Sequence, residues 1–199
     1  MRIHRGRVAA IVGGIALVVA SLAVGAPASA GWAGATGGTG CSGAVNMAGD
    51  ATISFTYSSV ASDMSTSMDW NRTQNLDPTD LVTSVTPSTS ADVVVYENSY
   101  TTYCGQDWWS ASGGGGVTGF TTCDSLLSNN RCKQHSIRFS GPWAAGASLT
   151  NRRYVACHES GHAVGLTHST LDTTCMKYND SSPVTVYNST EKGYINSAY

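Results

Sequence analysis

The run His158-Glu159-Ser160-Gly161-His162-Ala163-Val164-Gly165-Leu166-Thr167-His168 sets three histidines, a glutamate and a glycine at spacings that suit a catalytic zinc site. Residues four apart share one face of an α-helix, so His158 and His162 can aim their imidazoles at one point, with Glu159 flanking it. Gly165 supplies a residue that tolerates positive φ. It can end the helix and turn the chain so that His168 comes back as a third ligand. Structural zinc sites use four protein ligands, usually several of them cysteine, whereas three neutral imidazoles leave one position for water and leave the ion its full charge. Such an ion lowers the pKa of bound water toward ~7 and polarises a carbonyl beside it. Glu159 is then placed as the general base that takes a proton from that water as it attacks a scissile carbonyl, and delivers it to the departing amine.

Single histidines on a helix are more often packed or solvated than ligating, and two histidines with a glutamate would be moderate evidence. Five fixed positions, each at roughly one in twenty, give odds on the order of one in ten thousand for a chance match, which favours the zinc site. Of the five histidines in the chain, only His4 and His135 fall outside the motif.

The pattern HExxHxxGxxH resembles that of the metzincin metalloproteases, whose motif is followed by a methionine turn beneath the metal. Met176, eight residues after His168, is the methionine that matches. Ser169 and the short spacing are similar to the matrixin branch. Tyr178, two places beyond the methionine, is similar instead to the astacin and serralysin branches, where a tyrosine helps stabilise the oxyanion. The resemblance carries that role to Tyr178; the alternative is a tyrosine that only packs under the site. The resemblance covers Cys157 to Tyr178 and leaves the branch open. It implies a secreted zinc endopeptidase with an α+β, metzincin-like zincin fold: a twisted mixed sheet packed on the zinc helix, followed by a small irregular C-terminal part.

The elements that must position these residues are read from pattern alone. Leu149 to Val164 is the expected zinc helix, with Ser148 or Thr150 as its cap and Arg152 and Arg153 on its exposed side. Gly161 weakens that helix by roughly 1 kcal/mol relative to alanine, so packing and metal must hold it. Strands are expected at Ile53 to Tyr57, Asp92 to Tyr96, Val117 to Thr122 and Ser136 to Phe139, from alternation and β-branched content. Met64 to Val85 permits a weak helix and then a loop. Ser189 opens a short terminal helix through Asn196. Gly113 to Gly116 reads as a flexible loop, and Trp108 and Trp109 beside it as core or surface filling rather than a wall of the cleft.

Arg2, Arg5 and Arg7, the apolar run Val8 to Val24 and Ala28-Ser29-Ala30 read as a secretory signal peptide over residues 1–30, leaving 31–199 as one domain that begins in a mobile Gly31 to Gly40 tail. Cleavage after Ala30 would leave eight basic against thirteen acidic residues, a net charge of −5. With no basic run, nucleic acid and anionic membrane are not expected partners; a peptide or protein substrate and a monomer are.

Six cysteines in a secreted chain suggest disulfides, with fifteen full pairings open. If the methionine turn lies under the helix, Cys157 beside the first ligand meets Cys175 beside Met176, and this pair would clamp the site floor. Cys123 with Cys132 would close a short loop, and Cys41 with Cys104 follows by elimination. A free Cys41 could instead block the zinc as a thiolate, though it sits in no recognisable pro-segment motif. Asp63, Asp69, Asp77 and Asp80 are scattered singly without a calcium-loop pattern, so one catalytic Zn2+ is the expected cofactor and calcium is unsupported. Two other classes share features with this reading: a zinc hydrolase of a non-peptide amide, and an inert secreted binding domain, against which the intact Glu159 argues.

Overall fold

A computed structural model describes residues 31–110, 115–178 and 183–199, so the leader expected over 1–30 lies outside the described residues. Alternation in Thr52–Ser58 (β1) sends Ile53 and Phe55 into the core. The β-branched run of Val93–Asn98 (β3) buries Val93, Val94 and Val95 in succession, as a strand covered on both faces must. With Val82–Val85 (β2), Gly119–Leu126 (β6) and Cys132–Ser140 (β7) they form one five-stranded sheet in the order β2-β1-β3-β7-β6. Every pair is parallel except β6 with β7, so the sheet is mixed and β6 is an antiparallel edge strand. Thr102–Tyr103 (β4) and Gln106–Asp107 (β5) make a separate small hairpin.

Helices Ser62–Asn71 (α1) and Leu149–Ala163 (α3) pack against each other, and α3 lies against β6 and β7. Gly141–Gly146 (α2) is a short turn of helix capped by the Ser140 hydroxyl, which accepts from the Trp143 amide at 3.3 Å. Ser189–Ala198 (α4) closes the chain behind a capping box: the Asn188 side chain accepts from the Glu191 amide at 3.0 Å, and the Asn188 amide donates back to the Glu191 carboxylate at 2.9 Å. Among the described residues, no helix is long and apolar enough to cross a membrane.

Two expectations are corrected and one is extended. The helix and loop expected over Met64 to Val85 are present, with Met64 and Met68 burying one face of α1, a π-helical turn over Arg72–Leu76 and turn residues after it. The stretch ends, however, in an unexpected strand: β2 pairs with β1 from Thr52 opposite Val82 to Phe55 opposite Val85. That edge strand is held by backbone pairing while Val82 and Val85 stay 64% and 48% exposed, so it carries no burial alternation to read. Arg152 and Arg153 do not face solvent freely. Arg152 donates to the carbonyls of Ala144 and Ala147 and pairs with Asp63 at 3.2 Å, and Arg153 lies over the Trp70 ring at 4.5 Å, so both tie α3 to its neighbours. The stretch 31–40 is not a loose tail: the Thr167 amide donates to Gly31 at 3.0 Å, the Ala33 amide to Gly165 at 3.0 Å, and the Gly40 amide to Cys123 at 2.7 Å.

Candidate metal centre

Helix α3 starts where the Ser148 hydroxyl accepts from the Asn151 amide at 3.2 Å, so Ser148 rather than Thr150 is its cap. It stops in a paired turn: the Leu166 amide donates to Gly161 at 2.9 Å and the Gly165 amide to His162 at 3.1 Å, with Gly165 at φ +94°. Those two bonds satisfy carbonyls that the helix end would orphan, and only glycine takes that φ without strain. A Cβ at Gly165 would also press on Met47 and Trp32. The turn returns the chain at once, and His168 faces back toward the helix.

The imidazoles of His158, His162 and His168 converge. The Nε2 atoms of His162 and His168 each lie 3.2 Å from Nε2 of His158. Ligands at about 2.0–2.1 Å from a tetrahedral ion stand about 3.3 Å apart, so the spacing fits one zinc-sized ion. Nδ1–H of His158 donates to the Cys175 carbonyl and that of His162 to the Leu166 carbonyl, both at 2.8 Å. These bonds fix the tautomer and leave each Nε2 lone pair toward the shared point. Burial pushes the His158 pKa down to about 4, that of His162 well below the usual histidine range, and that of His168 down as well, so the three stay uncharged near neutrality. Neutral nitrogens aimed at one another, from the buried His158 and His162 and the exposed His168, are the donor set a metal cation needs.

The floor is built from the expected parts. Cys157 and Cys175 are disulfide-bonded, so the residue beside His158 is tied to the residue whose carbonyl orients His158. The Ser169 amide donates to the Met176 carbonyl at 2.8 Å, joining the chain after the third histidine to the methionine turn. Met176 is fully buried, and a Cβ at Gly161 would overlap its sulfur. Gly161 therefore lets the methionine turn reach the helix, which is what its helix-weakening cost obtains. Tyr187 donates its hydroxyl to the Cys157 carbonyl at 2.9 Å on the same side.

Glu159 is buried beside the histidines, and burial pushes its pKa up to about 7, opposed by the Thr121 hydroxyl, which donates to the carboxylate at 2.7 Å. A Cβ at Gly119 would come within 2.8 Å of both Glu159 Cγ and Val155 Cγ1. Gly119 thus makes the room that Glu159 occupies. Neither Gly119 nor Thr121 stood out in the sequence as a site residue. The readable signal was a glycine inside a strand pattern, which marks a close approach. Tyr178 is 78% exposed, its ring 5.0 Å from that of His168, so it stands at the rim and does not pack under the site. All of these groups border a cleft of about 850 Å3 between α3 and the edge strand β6.

A second cluster of ligand-type residues, Cys123, Cys132 and His135, is closed to metal because its two sulfurs form a disulfide. Cys41 is bonded to Cys104, which leaves no thiolate there to block a zinc and corrects that alternative.

No family model matches the sequence, and no curated protein matches it. The fold is similar to that in two solved structures of myroilysin. One superposes with a TM-score of 0.51 at 12% identity, covering 77% of this chain and 82% of that one. The other has a TM-score of 0.51 at 10% identity, covering 77% and 86%. At that identity the likeness is one of fold.

Proposed function

We propose that the chain is a secreted zinc-dependent endopeptidase of metzincin type. The observation that carries this reading is the convergence of three neutral imidazole nitrogens, two from the buried His158 and His162 and one from the solvent-exposed His168, at a point that borders an open cleft, with a buried carboxylate beside them. His158, His162 and His168 would hold one zinc, which when bound supplies a Lewis acid that acidifies water and polarises the substrate carbonyl.

The chain's own residues do the rest. Glu159, positioned by Thr121 and by the space at Gly119, accepts a proton from the attacking water and gives it to the departing amine nitrogen, so one carboxyl serves as base and then as acid. A group pushed toward neutrality suits both roles. Tyr178 at the rim donates its phenolic hydrogen to the carbonyl oxygen as negative charge gathers there. The substrate adds as an extended strand to the free side of β6, where backbone bonds give binding with little demand on side chains. That open strand edge favours a peptide over a small non-peptide amide. Export follows from the leader pattern and agrees with three disulfides.

The test is cleavage of denatured protein by the purified 31–199 chain, with new termini read by mass spectrometry. Internal cuts that vanish with chelator are expected. Absence of cuts from zinc-loaded protein, or cuts indifferent to chelator, would refute the assignment.

A further inference from the structure

Because β6 ends the sheet, alternate residues turn their backbone N–H and C=O away from β7. The Ser140 amide donates to Thr118 at 2.9 Å, so Thr118, Phe120 and Thr122 face β7, while Val117, Gly119, Thr121 and Cys123 face outward. Both ends of this outward row are taken. Cys123 donates to Gly43 at 2.9 Å and accepts from Gly40 at 2.7 Å. Val117 donates to Asp107 at 2.9 Å and accepts from Trp109 at 2.9 Å. Among the described residues, no backbone group pairs with Gly119 or Thr121, and both line the cleft opposite Glu159.

The two segments that cover the ends are covalently joined, since Cys41 of the Gly40 to Gly43 turn is bonded to Cys104 in the β4–β5 hairpin. We propose that this disulfide-closed strap limits the pairing edge to Gly119–Thr121, so that the enzyme takes peptide segments presenting about three extended residues and does not take long strands laid along the sheet. The proposal rests on the peptidase reading above.

The strap is seated firmly. Tyr103 stands edge-on to Phe120 with ring centroids 6.2 Å apart, and Arg138 lies 4.6 Å from the centre of the Tyr103 ring. Trp108 is buried against Tyr100 at 4.6 Å, which gives the paired tryptophans the filling role expected of them. Gly116, at φ +96°, lies where a Cβ would strike the backbone of Asp107 and Trp108. Gly116, the last glycine of the Gly113 to Gly116 run, therefore serves close packing within that loop, while Gly113 and Gly114 lie outside the described residues. Ala44 and Val45 from one arm and Gln106 and Asp107 from the other face the cleft. Gly119 and Thr121 are about 7 Å apart along the strand, and two outward residues exchange at most four backbone hydrogen bonds with an added strand. A longer substrate must leave the sheet plane or displace an arm.

Cys41 is exposed and Cys104 partly so, whereas the other four half-cystines are buried, so a mild dithiol reductant opens the strap first. Hydrogen exchange tests the geometry without substrate. Val117 and Cys123 amides are expected to exchange slowly, Gly119 and Thr121 amides fast, and opening the strap to speed Val117 and Cys123 at least tenfold. Equal rates at all four positions before opening would overturn the proposal. Random-sequence peptide pools of fixed length, three to ten residues and capped at both ends, test the consequence, with binding measured on Glu159→Ala protein and cleavage on the unaltered chain. Affinity and kcat/KM are expected to level off once about three residues pair. In C41S/C104S protein, and in the gently reduced chain, they are expected to keep rising by about tenfold per added residue pair. Continued gain in the strapped protein, an unchanged plateau after opening, or no binding by any pool would overturn the strap. Peptides bound with a plateau but never cut would leave the strap standing and sink the peptidase, while cutting without a plateau would do the reverse.

Discussion

Among the described residues, two clusters hold three ligand-type side chains each with their ligand atoms within 4.8 Å: His158, His162 and His168, and Cys123, Cys132 and His135. Only the first is built for a metal. The Nδ1 atoms of His158 and His162 are occupied by carbonyls, which leaves their Nε2 lone pairs converging with His168 Nε2 at a cleft. In the second, the sulfurs are spent on each other, and His135 Nε2 donates to the Asn46 carbonyl at 3.1 Å, which leaves Nδ1 buried without a partner. Proximity of ligand types therefore does not make a site. Free lone pairs, a shared focus and access to solvent do.

The comparison can be broken most decisively by substitution. His162→Ala and His168→Ala are expected to abolish stoichiometric zinc and proteolysis together, while His135→Gln keeps one zinc per chain by metal analysis. Zinc lost with His135→Gln, or kept in full with His168→Ala, would reverse the assignment. Glu159→Ala should keep the metal and lose at least a hundredfold in rate, roughly the contribution of a positioned base. Loss of zinc in that variant would show that Glu159 holds the centre together instead.

Smaller effects sharpen the picture. Gly119→Ala pushes a methyl against Glu159 and Val155, so kcat should fall roughly tenfold to a hundredfold with zinc content unchanged. A variant at full rate would mean that Glu159 shifts freely. Removing both sulfurs of Cys157–Cys175 should cost about 3 kcal/mol in chemical unfolding and speed zinc loss to a chelator. His135 contributes a pH effect of its own. Burial lowers its folded pKa from 6.5 to about 4, so the fold favours the neutral ring. That stability is present above about pH 6.5 and lost as pH falls through about 4, up to about 3 kcal/mol. His135→Gln, less stable at pH 7, should show a flatter denaturation midpoint across this window; an equal slope would assign the acid sensitivity elsewhere.

How much could be read in advance divides along the same line. The histidines, Gly165, Met176 and the Cys157–Cys175 pair sit close in sequence, and local periodicity or adjacency fixes their geometry. The placing of Gly119 and Thr121 against Glu159 needs the sheet order, which is set by long-range pairing and leaves only an interior glycine as a mark. β2 escaped because an exposed edge strand needs no alternation, and the 31–40 segment because its glycines make backbone bonds that leave no side-chain pattern. Tyr178 was legible in position, while its exposure depends on the turn that carries it.

The central claim, that these three histidines hold a single zinc on which peptide hydrolysis depends, is tested most directly by titrating zinc into metal-free protein while following cleavage of a denatured substrate. The account predicts a rate that climbs linearly and breaks at one equivalent per chain. A rate already maximal without zinc, or a full complement of one zinc with no cleavage, would contradict it.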